Sequence, residues 1–196
     1  MFSTIFPISC LGCSKLDEFL CDECLSNESL TGERQRPGFV FKPAFRYEGL
    51  LASALGRLKN HNEYGYINTL SEAFRNCVEF DSDLETIVPP STNAAFRKRG
   101  FNPAADIAKK AGFRLSTKLK RVKQNDSQQG LDYVNRQFNI QQLFELKASG
   151  DFFIFDDVVT TGATVREMIR AVESGGGRVV GVFALCSTDP KGANYE

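Results

Sequence analysis

Apolar and polar side chains repeat differently in successive parts of the chain. From 39 to 47 they alternate, which predicts a half-buried strand. From 50 to 58 and again from 66 to 78 the apolar positions recur at helical spacing, which predicts two amphipathic helices. The main domain is therefore expected to open with a strand followed by a pair of helices.

The second half of the chain repeats strand and helix patterns in turn. Apolar runs at 84–88, 152–156 and 178–186 predict buried strands, and the stretches 103–111 and 164–174 predict helices between them. Strand, helix and strand in succession imply a parallel sheet joined by right-handed crossovers. The predicted fold class is therefore α/β.

Composition agrees with a folded, non-membrane protein. The chain has 196 residues, 42% of them hydrophobic and 24% charged, which fits one α/β domain and a small appendage. Its apolar runs are too short to span a bilayer, so we expect no membrane insertion. The first ten residues lack the basic start and apolar stretch of an export signal, so we expect a cytoplasmic location. The single histidine, His61, excludes a His-rich metal centre.

Four of the six cysteines form two Cys-x2-Cys pairs separated by seven residues. Such pairs can converge on one tetrahedral zinc ion, and a site of four cysteines leaves no open position for catalysis. Two disulfides are the alternative, which a reducing cytoplasm disfavours. The predicted structural zinc ligands are Cys10, Cys13, Cys21 and Cys24.

A polar stretch with Gly and Pro, from 27 to 38, follows these pairs. We therefore predict a zinc-binding module with its linker at 1–38 and the main domain at 39–196. The other two cysteines, Cys77 and Cys186, lie in apolar sequence and are predicted to be core residues.

The segment from 153 to 164 carries the most informative chemistry, because an apolar strand ends there in two carboxylates and a Thr- and Gly-rich loop opens a helix. Ligands of open parallel sheets bind at the carboxyl ends of the strands. Asp156 and Asp157 can accept hydrogen bonds from a vicinal diol, while the N–H groups of Thr161 to Thr164 can bind a phosphate. A diol and a phosphate on one sugar indicate a ribose 5-phosphate. Alternatively, the aspartates only end the strand and cap the helix.

The run Phe-Asp-Asp-Val-Val-Thr-Thr-Gly-Ala-Thr, at 155–164, resembles the signature with which type I phosphoribosyltransferases bind phosphoribosyl diphosphate (PRPP). Nearly the whole chain resembles the competence protein F family, also described as amidophosphoribosyltransferase-like. Members of that family are associated with uptake of transforming DNA, and zinc and single-stranded DNA binding are ascribed to some. Besides the cysteine pairs, the resemblance rests on Leu58-Lys59, Arg99-Gly100-Phe101-Asn102, Arg121 and Gln128-x2-Leu131-x4-Arg136-x2-Asn139-x4-Phe144.

The resemblance implies a type I phosphoribosyltransferase-like parallel sheet flanked by helices, and it assigns site residues by position. Asp156, Asp157 and Arg121 would be catalytic, the loop after Val88 would contact pyrophosphate, and Mg²⁺ would arrive with the donor. The chain departs from the family in reading Val-Pro-Pro at 88–90 and in having Pro103 after Arg-Gly-Phe-Asn. The implied PRPP-binding residues are Asp156, Asp157, Val158, Thr160, Thr161, Gly162, Ala163, Thr164, Pro90, Ser91 and Lys59.

The segment from 118 to 142 is polar, rich in Gln and Asn, and without an apolar face, which predicts a long mobile loop. The resemblance implies that 121–139 is a hood that closes over the donor. Arg121, Lys123 and Arg136 could then neutralise a leaving pyrophosphate, and closure would exclude water. The alternative is a solvated loop with no further role.

The net charge of zero is an average over two unlike parts of the chain. Residues 97–123 include ten basic side chains and one acidic side chain, a net charge of +9, so the remainder carries −9. A basic surface of this extent suits pyrophosphate or a longer polyanion, although a solvated helix face is the alternative. The predicted nucleic-acid contacts are Arg97, Lys98, Arg99, Lys118, Lys120 and Lys123.

Two functions follow from these patterns. The first is a PRPP-binding protein of DNA uptake that binds single-stranded DNA and other DNA-uptake proteins. The second is an active phosphoribosyltransferase that transfers phosphoribose to an unknown acceptor and releases pyrophosphate. The chain lacks the cysteine-initiated glutaminase domain of true amidophosphoribosyltransferases, so we favour the first.

Overall fold

The computed structural model describes residues 8–28, 32–122 and 143–188. Within these ranges no helix combines the length and the apolar character needed to cross a membrane. The helices are α1 (Asp22–Ser26), α2 (Gly49–Asn60), α3 (Tyr66–Cys77), α4 (Asn93–Arg99), α5 (Pro103–Ala111) and α6 (Ala163–Ser174). The strands are β1 (Arg34–Arg36), β2 (Phe39–Arg46), β3 (Glu85–Ile87), β4 (Arg114–Leu115), β5 (Lys120–Arg121), β6 (Phe144–Glu145), β7 (Gly150–Val159) and β8 (Gly177–Ser187).

The main sheet has six strands in the order β1-β2-β8-β7-β3-β4. Strand β1 runs antiparallel to β2, and every other neighbouring pair is parallel. Ile154 of β7 lies between Ile87 of β3 and Val182 of β8, which places the apolar centre of β7 in the middle of the sheet. The predicted α/β fold with a parallel sheet is confirmed.

Both faces of the sheet are covered by apolar side chains. One face packs against α2, α3 and α5 around Phe74, whose ring centroid lies 5.2 Å from that of Phe155. The other face packs against α6 and the two-stranded β5–β6 ribbon around Phe144 and Phe152. Burial on both faces explains the nearly continuous apolar sequence of β7 and β8.

The structure corrects several details of the sequence prediction. Helix α4 occupies part of the polar loop predicted after the strand at 84–88, and it has no buried residue. Strand β5 lies within the predicted loop at 118–142. The adjacent Leu119 is buried in the apolar cluster around Phe144 and Phe152. Cys77 is exposed and not a core residue, because the last turn of α3 leaves the core, whereas Cys186 is buried as predicted.

The cysteine segment packs directly on the main domain. Leu20 is buried in the same core as α2 and α3, and the Phe19 ring centroid lies 4.8 Å from that of Tyr66. The carboxylate of Glu28 accepts a hydrogen bond from the N–H of Leu50, at 3.2 Å, in the first turn of α2. Strand β1, at 34–36, already belongs to the main sheet, and the division at 38 stays a prediction.

Candidate functional site

The site candidates gather at one edge of the sheet because β2, β8, β7 and β3 are parallel and their carboxyl ends lie together. Asp156 and Asp157 lie within β7, near its carboxyl end, and are only 8% and 9% exposed. The N–H of Asp157 donates to Oδ1 of Asp156 at 2.9 Å. Two carboxyl groups are therefore held side by side in a largely buried position.

The environment of this pair favours one negative charge over two. Burial, and then the neighbouring charge of Asp157, raise the pKa of Asp156 to about 8, although the charge of Lys59 and the hydrogen bond from Asp157 act against this. Lys59, near the end of α2, places Nζ 2.7 Å from Oδ1 of Asp157. The structure therefore brings together three residues that the sequence had named separately.

The turn between β7 and α6 presents backbone donors at the same edge. Gly162 adopts φ 75°, a left-handed conformation that allows the chain to turn sharply into α6. The N-cap residue Gly162 has no side chain, and the only side-chain acceptor among the described contacts of this first turn is Oγ1 of Thr161, which lies 3.4 Å from the backbone N of Ala163. Nη1 of Arg166 donates to the carbonyl oxygen of Thr161 at 3.0 Å, which fixes that peptide from the helix side. An anion at the helix start would meet N–H groups and the positive end of the dipole.

The loop after β3 lies beside the β5–β6 ribbon. Nη2 of Arg121 donates to the carbonyl oxygen of Pro90 at 3.2 Å, and the guanidinium lies 5.1 Å from the ring centroid of Phe144. Burial lowers the pKa of Arg121 from its ordinary value. Asn102 donates from Nδ2 to the carbonyl oxygen of Pro89 at 2.9 Å. Arg121 thus contacts the loop that contains Pro90 and Ser91, and the hood at 123–139, with Arg136, lies outside the described residues.

The six candidate nucleic-acid contacts do not form one surface. Arg97 and Lys98 are exposed on α4, which follows the carboxyl end of β3, and Arg99 is half-buried. Lys118 places Nζ 2.8 Å from Oε2 of Glu85 at the opposite end of β3, so its charge is already paired.

Lys120 is exposed in β5 opposite Glu145. Lys123 lies outside the described residues. Among the described residues of this set, the adjacent exposed side chains are Arg97 and Lys98 on α4.

The four cysteines of the two pairs converge as the sequence predicted. Their sulfur atoms all lie within 4.8 Å of one another. Sγ of Cys21 is 3.6 Å from that of Cys10 and 3.5 Å from that of Cys13, and the cysteines are free thiols in the structure. A tetrahedron with Zn–S bonds of about 2.3 Å separates its sulfurs by about 3.8 Å. The cluster therefore has the dimensions of a zinc site.

Backbone donors prepare one ligand of this cluster for metal binding. Burial by itself raises the pKa of Cys10, but hydrogen bonds from the backbone of Cys13, Cys21 and Gly12 outweigh burial and lower that pKa to about 6. Sγ of Cys10 accepts from the N–H of Cys21 at 3.3 Å and from that of Gly12 at 3.4 Å. The chemistry of the donors fits a closed structural zinc ion.

The phosphoribosyl transferase domain family matches residues 94–194, just over half of the chain. The chain belongs to this family. The matched range contains all of α4 but its first residue, the aspartate pair, and the turn that precedes α6. Lys59 and the cysteine cluster lie before this range.

Known proteins similar to this phosphoribosyltransferase-family chain fall into two groups. Competence protein F of Haemophilus influenzae is 25% identical over 183 residues, which cover 84% of the chain and 77% of that protein. Orotate phosphoribosyltransferase of Campylobacter jejuni subsp. doylei is 39% identical over 54 residues, which cover 28% of the chain and 27% of that protein. The chain thus spans about a quarter of the length of such orotate enzymes.

Among solved structures, Leishmania donovani UMP synthase is similar with a TM-score of 0.40 and 16% identity, over 83% of the chain and 29% of that protein. The family match and the long alignment with competence protein F confirm the sequence resemblance to that family and to type I phosphoribosyltransferases.

Sequence reasoning missed Arg36, a charged side chain that is only 5% exposed and that contacts the turn after β7. Nothing in the local pattern distinguishes Arg36 from the other basic residue of this polar stretch, Arg34. Both belong to β1, the edge strand of the main sheet.

An acidic cavity of about 610 Å³ opens between the cysteine segment and α3, outside the phosphoribosyl transferase match. Its apolar part includes Leu20 and Phe45, and no basic residue is among the described residues that line it. Negative charge there repels a polyanion, whereas the exposed basic side chains of α4 attract one. The carboxylates of the cavity belong to Asp17, Glu18, Asp22, Glu28 and Glu72.

Proposed function

We propose that the protein binds PRPP at the carboxyl edge of its sheet. The observation that supports this best is the buried pair Asp156 and Asp157, followed five residues later by the left-handed turn at Gly162 that opens α6. The two carboxylates suit the ribose hydroxyls and the turn suits the 5-phosphate. The match to the phosphoribosyl transferase domain supports the same ligand.

Lys59 and the β3 loop would serve the diphosphate end of the ligand. Ribose hydroxyls that donate to Asp157 would compete with its present partner, the ammonium of Lys59, 2.7 Å away. Once released, that ammonium could neutralise the diphosphate, together with Arg121 beside Pro90. Mg²⁺ suits oxygen ligands, and we propose that it enters with the diphosphate and that the acidic pair lies close to it.

Isothermal titration of PRPP with Mg²⁺ tests this site. We expect saturable binding of about one ligand per chain by the unmodified protein, and its loss when Asp156→Asn and Asp157→Asn are combined, because a neutral pair accepts weaker hydrogen bonds. Asp151→Asn is the matched control, since Asp151 lies at the start of the same strand and pairs with Arg178. Absence of PRPP binding by the unmodified protein would refute the proposal.

We further propose that the protein acts in uptake of transforming DNA and binds single-stranded DNA through α4. Its similarity to competence protein F supports the role in DNA uptake. The exposed Arg97 and Lys98, next to a Phe96 ring that is 52% exposed, support the ligand, because single-strand binding combines basic side chains with aromatic rings for base stacking. The acidic cavity supports α4 as the side that faces DNA.

Fluorescence anisotropy with a labelled oligonucleotide tests the role of α4. Charge reversal by Arg97→Glu with Lys98→Glu should weaken binding about tenfold or more and flatten its salt dependence. Lys109→Glu with Lys110→Glu is the matched control, because these exposed lysines lie at the far end of α5. Equal losses in both double variants would overturn the assignment to α4, and so would no loss in either.

An active phosphoribosyltransferase is the second candidate function. The segment that is 39% identical to orotate phosphoribosyltransferase favours it, together with Arg121 beside the proposed diphosphate loop. Pyrophosphate released from PRPP would be measured with orotate and with other bases or amines as acceptors. Release that depends on an acceptor and disappears in Asp156→Asn establishes the enzyme, whereas no release with any acceptor supports a binding role.

We propose that the cysteine cluster holds one structural zinc ion. Its dimensions and the lowered pKa of Cys10 support this, and the shared core around Leu20 indicates that the ion stabilises the main domain as well. Elemental analysis should find about one zinc per chain. Disulfides in place of metal would refute the proposal.

A further inference from the structure

Arg36 is a buried cation at the edge of the proposed PRPP site. It is 5% exposed, and none of its hydrogen bonds within the described residues goes to a carboxylate. Its hydrogen bonds go to carbonyl oxygens: Nε to Thr160 at 3.1 Å, Nη2 to Thr188 at 2.6 Å and Nη1 to Gln35 at 3.1 Å. A buried guanidinium with only carbonyl partners is costly, so its retention calls for an explanation.

These bonds determine the direction of the peptide groups in the turn. In a trans peptide the carbonyl oxygen and the following N–H point in opposite directions. Arg36 holds the oxygen of Thr160, so the N–H of Thr161 points away from the Arg36 guanidinium, and Arg166 holds the oxygen of Thr161, so the N–H of Gly162 points away from the Arg166 guanidinium. Successive backbone N–H groups of a turn can form an anion-binding concavity.

The turn at Gly162 packs closely on the side chains of Phe39 and Arg36. A Cβ at Gly162 would lie 2.7 Å from the ring of Phe39 and 3.4 Å from Cγ of Arg36. The Arg36 guanidinium also lies 5.3 Å from the ring centroid of Phe41. Through Thr188, whose N–H donates to the oxygen of Val159 at 3.1 Å, it joins the ends of β7 and β8. The turn is therefore closely packed on Phe39 and Arg36, and the carbonyl oxygen of Thr160 is held by Arg36.

We propose that Arg36 is the positioning residue of the 5-phosphate subsite. It holds the turn with its N–H groups directed at the ligand and supplies a positive charge behind them, without touching the sugar. This inference rests on the proposed PRPP site and adds a residue that lies 124 positions earlier in the chain than Thr160. Arg36 should affect the phosphate end of the ligand and not the diphosphate end.

Binding of ribose 5-phosphate and of Mg²⁺-pyrophosphate to the same variants tests this selectivity. Arg36→Met keeps the apolar stem on Phe41 and removes the donors. We expect its dissociation constant for ribose 5-phosphate to rise about tenfold. A tenfold change corresponds to about 1.4 kcal/mol of binding free energy, which is the size of one charge-assisted hydrogen bond. Affinity for pyrophosphate should stay within about twofold. A general loss of folded protein would weaken both ligands equally, so the ratio separates positioning from stability.

Arg178→Met is the matched control, because Arg178 is an exposed arginine at the other end of the sheet, paired with Asp151 at 2.6 Å. It should leave both affinities unchanged. Arg36→Lys keeps the charge but cannot span two carbonyls, so it should still bind ribose 5-phosphate more weakly than the unmodified protein does. It replaces Arg36→Met in the test if that variant does not fold.

Unchanged binding of ribose 5-phosphate by the folded Arg36 variants would overturn the inference and leave the PRPP site intact. An equal loss of both ligands would overturn it too. Failure of the unmodified protein to bind PRPP or ribose 5-phosphate would instead refute the proposed site itself.

Discussion

Replacing Asp156 by asparagine should stabilise the protein without ligand, although the same side chain is proposed to bind the ribose. Burial and the charge of Asp157 raise the pKa of Asp156 from 3.8 to about 8. The folded state therefore holds this proton more tightly than the unfolded state does, and the free energy of unfolding falls as the pH rises from about 4 to about 8. Asparagine resembles the protonated acid and can still accept the hydrogen bond from the N–H of Asp157.

The size of the effect follows from the same linkage. Each pH unit within this window lowers the stability of the unmodified protein by up to about 1.4 kcal/mol relative to the variant, so over about four units the difference should reach roughly 5 kcal/mol by pH 8. Near pH 4 the two proteins should be equally stable. Groups that do not interact with Asp156 cancel in the comparison.

Urea unfolding of both proteins at several pH values measures this difference. Asp151→Asn is the control, because Arg178 lowers the pKa of the exposed Asp151, and its loss should slightly destabilise the protein above pH 4. Parallel stability curves for Asp156→Asn and the unmodified protein between pH 4 and 8 would refute the reasoning.

Three further predictions concern the cysteine cluster and a helix. Gly12→Ala should weaken zinc retention in a chelator titration, since a Cβ there would lie 2.7 Å from Sγ of Cys24, whereas Gly32→Ala, with open space around it, should not. Chelation of zinc from the unmodified protein should lower the melting temperature of the whole domain in one transition, because the cluster shares the core of α2 and α3; two separate transitions would contradict this. Gly56→Ala should raise the free energy of unfolding by about 0.5–1 kcal/mol in urea titrations, because Gly56 lies inside α2 with nothing within 4 Å of its Cβ position.

Most of the sheet could be predicted because its strands are strongly apolar and its helices have clear apolar faces. The predicted helix at 103–111 coincides with α5, where Pro103 opens the helix and Gly112, with φ 104°, ends it. Helix α4 could not be predicted from periodicity, since none of its residues is buried. Its start is set by an N-cap, in which Oγ1 of Thr92 accepts a hydrogen bond from the N–H of Ala95.

Motif alone could locate the site only where its residues lie together in the sequence, whereas Lys59 comes only from the family resemblance and Arg36 from neither. Asp156 and Asp157 end an apolar run and could be found by motif. The contact between Lys59 and Asp157 joins positions 98 apart, and the contact between Arg36 and Thr160 joins positions 124 apart. Sheet order decides such contacts, because β1 reaches the ends of β8 and β7 only through its pairing with β2.

A crystal structure with PRPP and Mg²⁺ is the most direct test of the proposed site. The account predicts ribose hydroxyls within hydrogen-bond distance of Asp156 and Asp157, and the 5-phosphate at the N–H groups of 161–164 above Arg36. PRPP bound elsewhere, or with its diphosphate at the turn and its 5-phosphate at the β3 loop, would contradict the account.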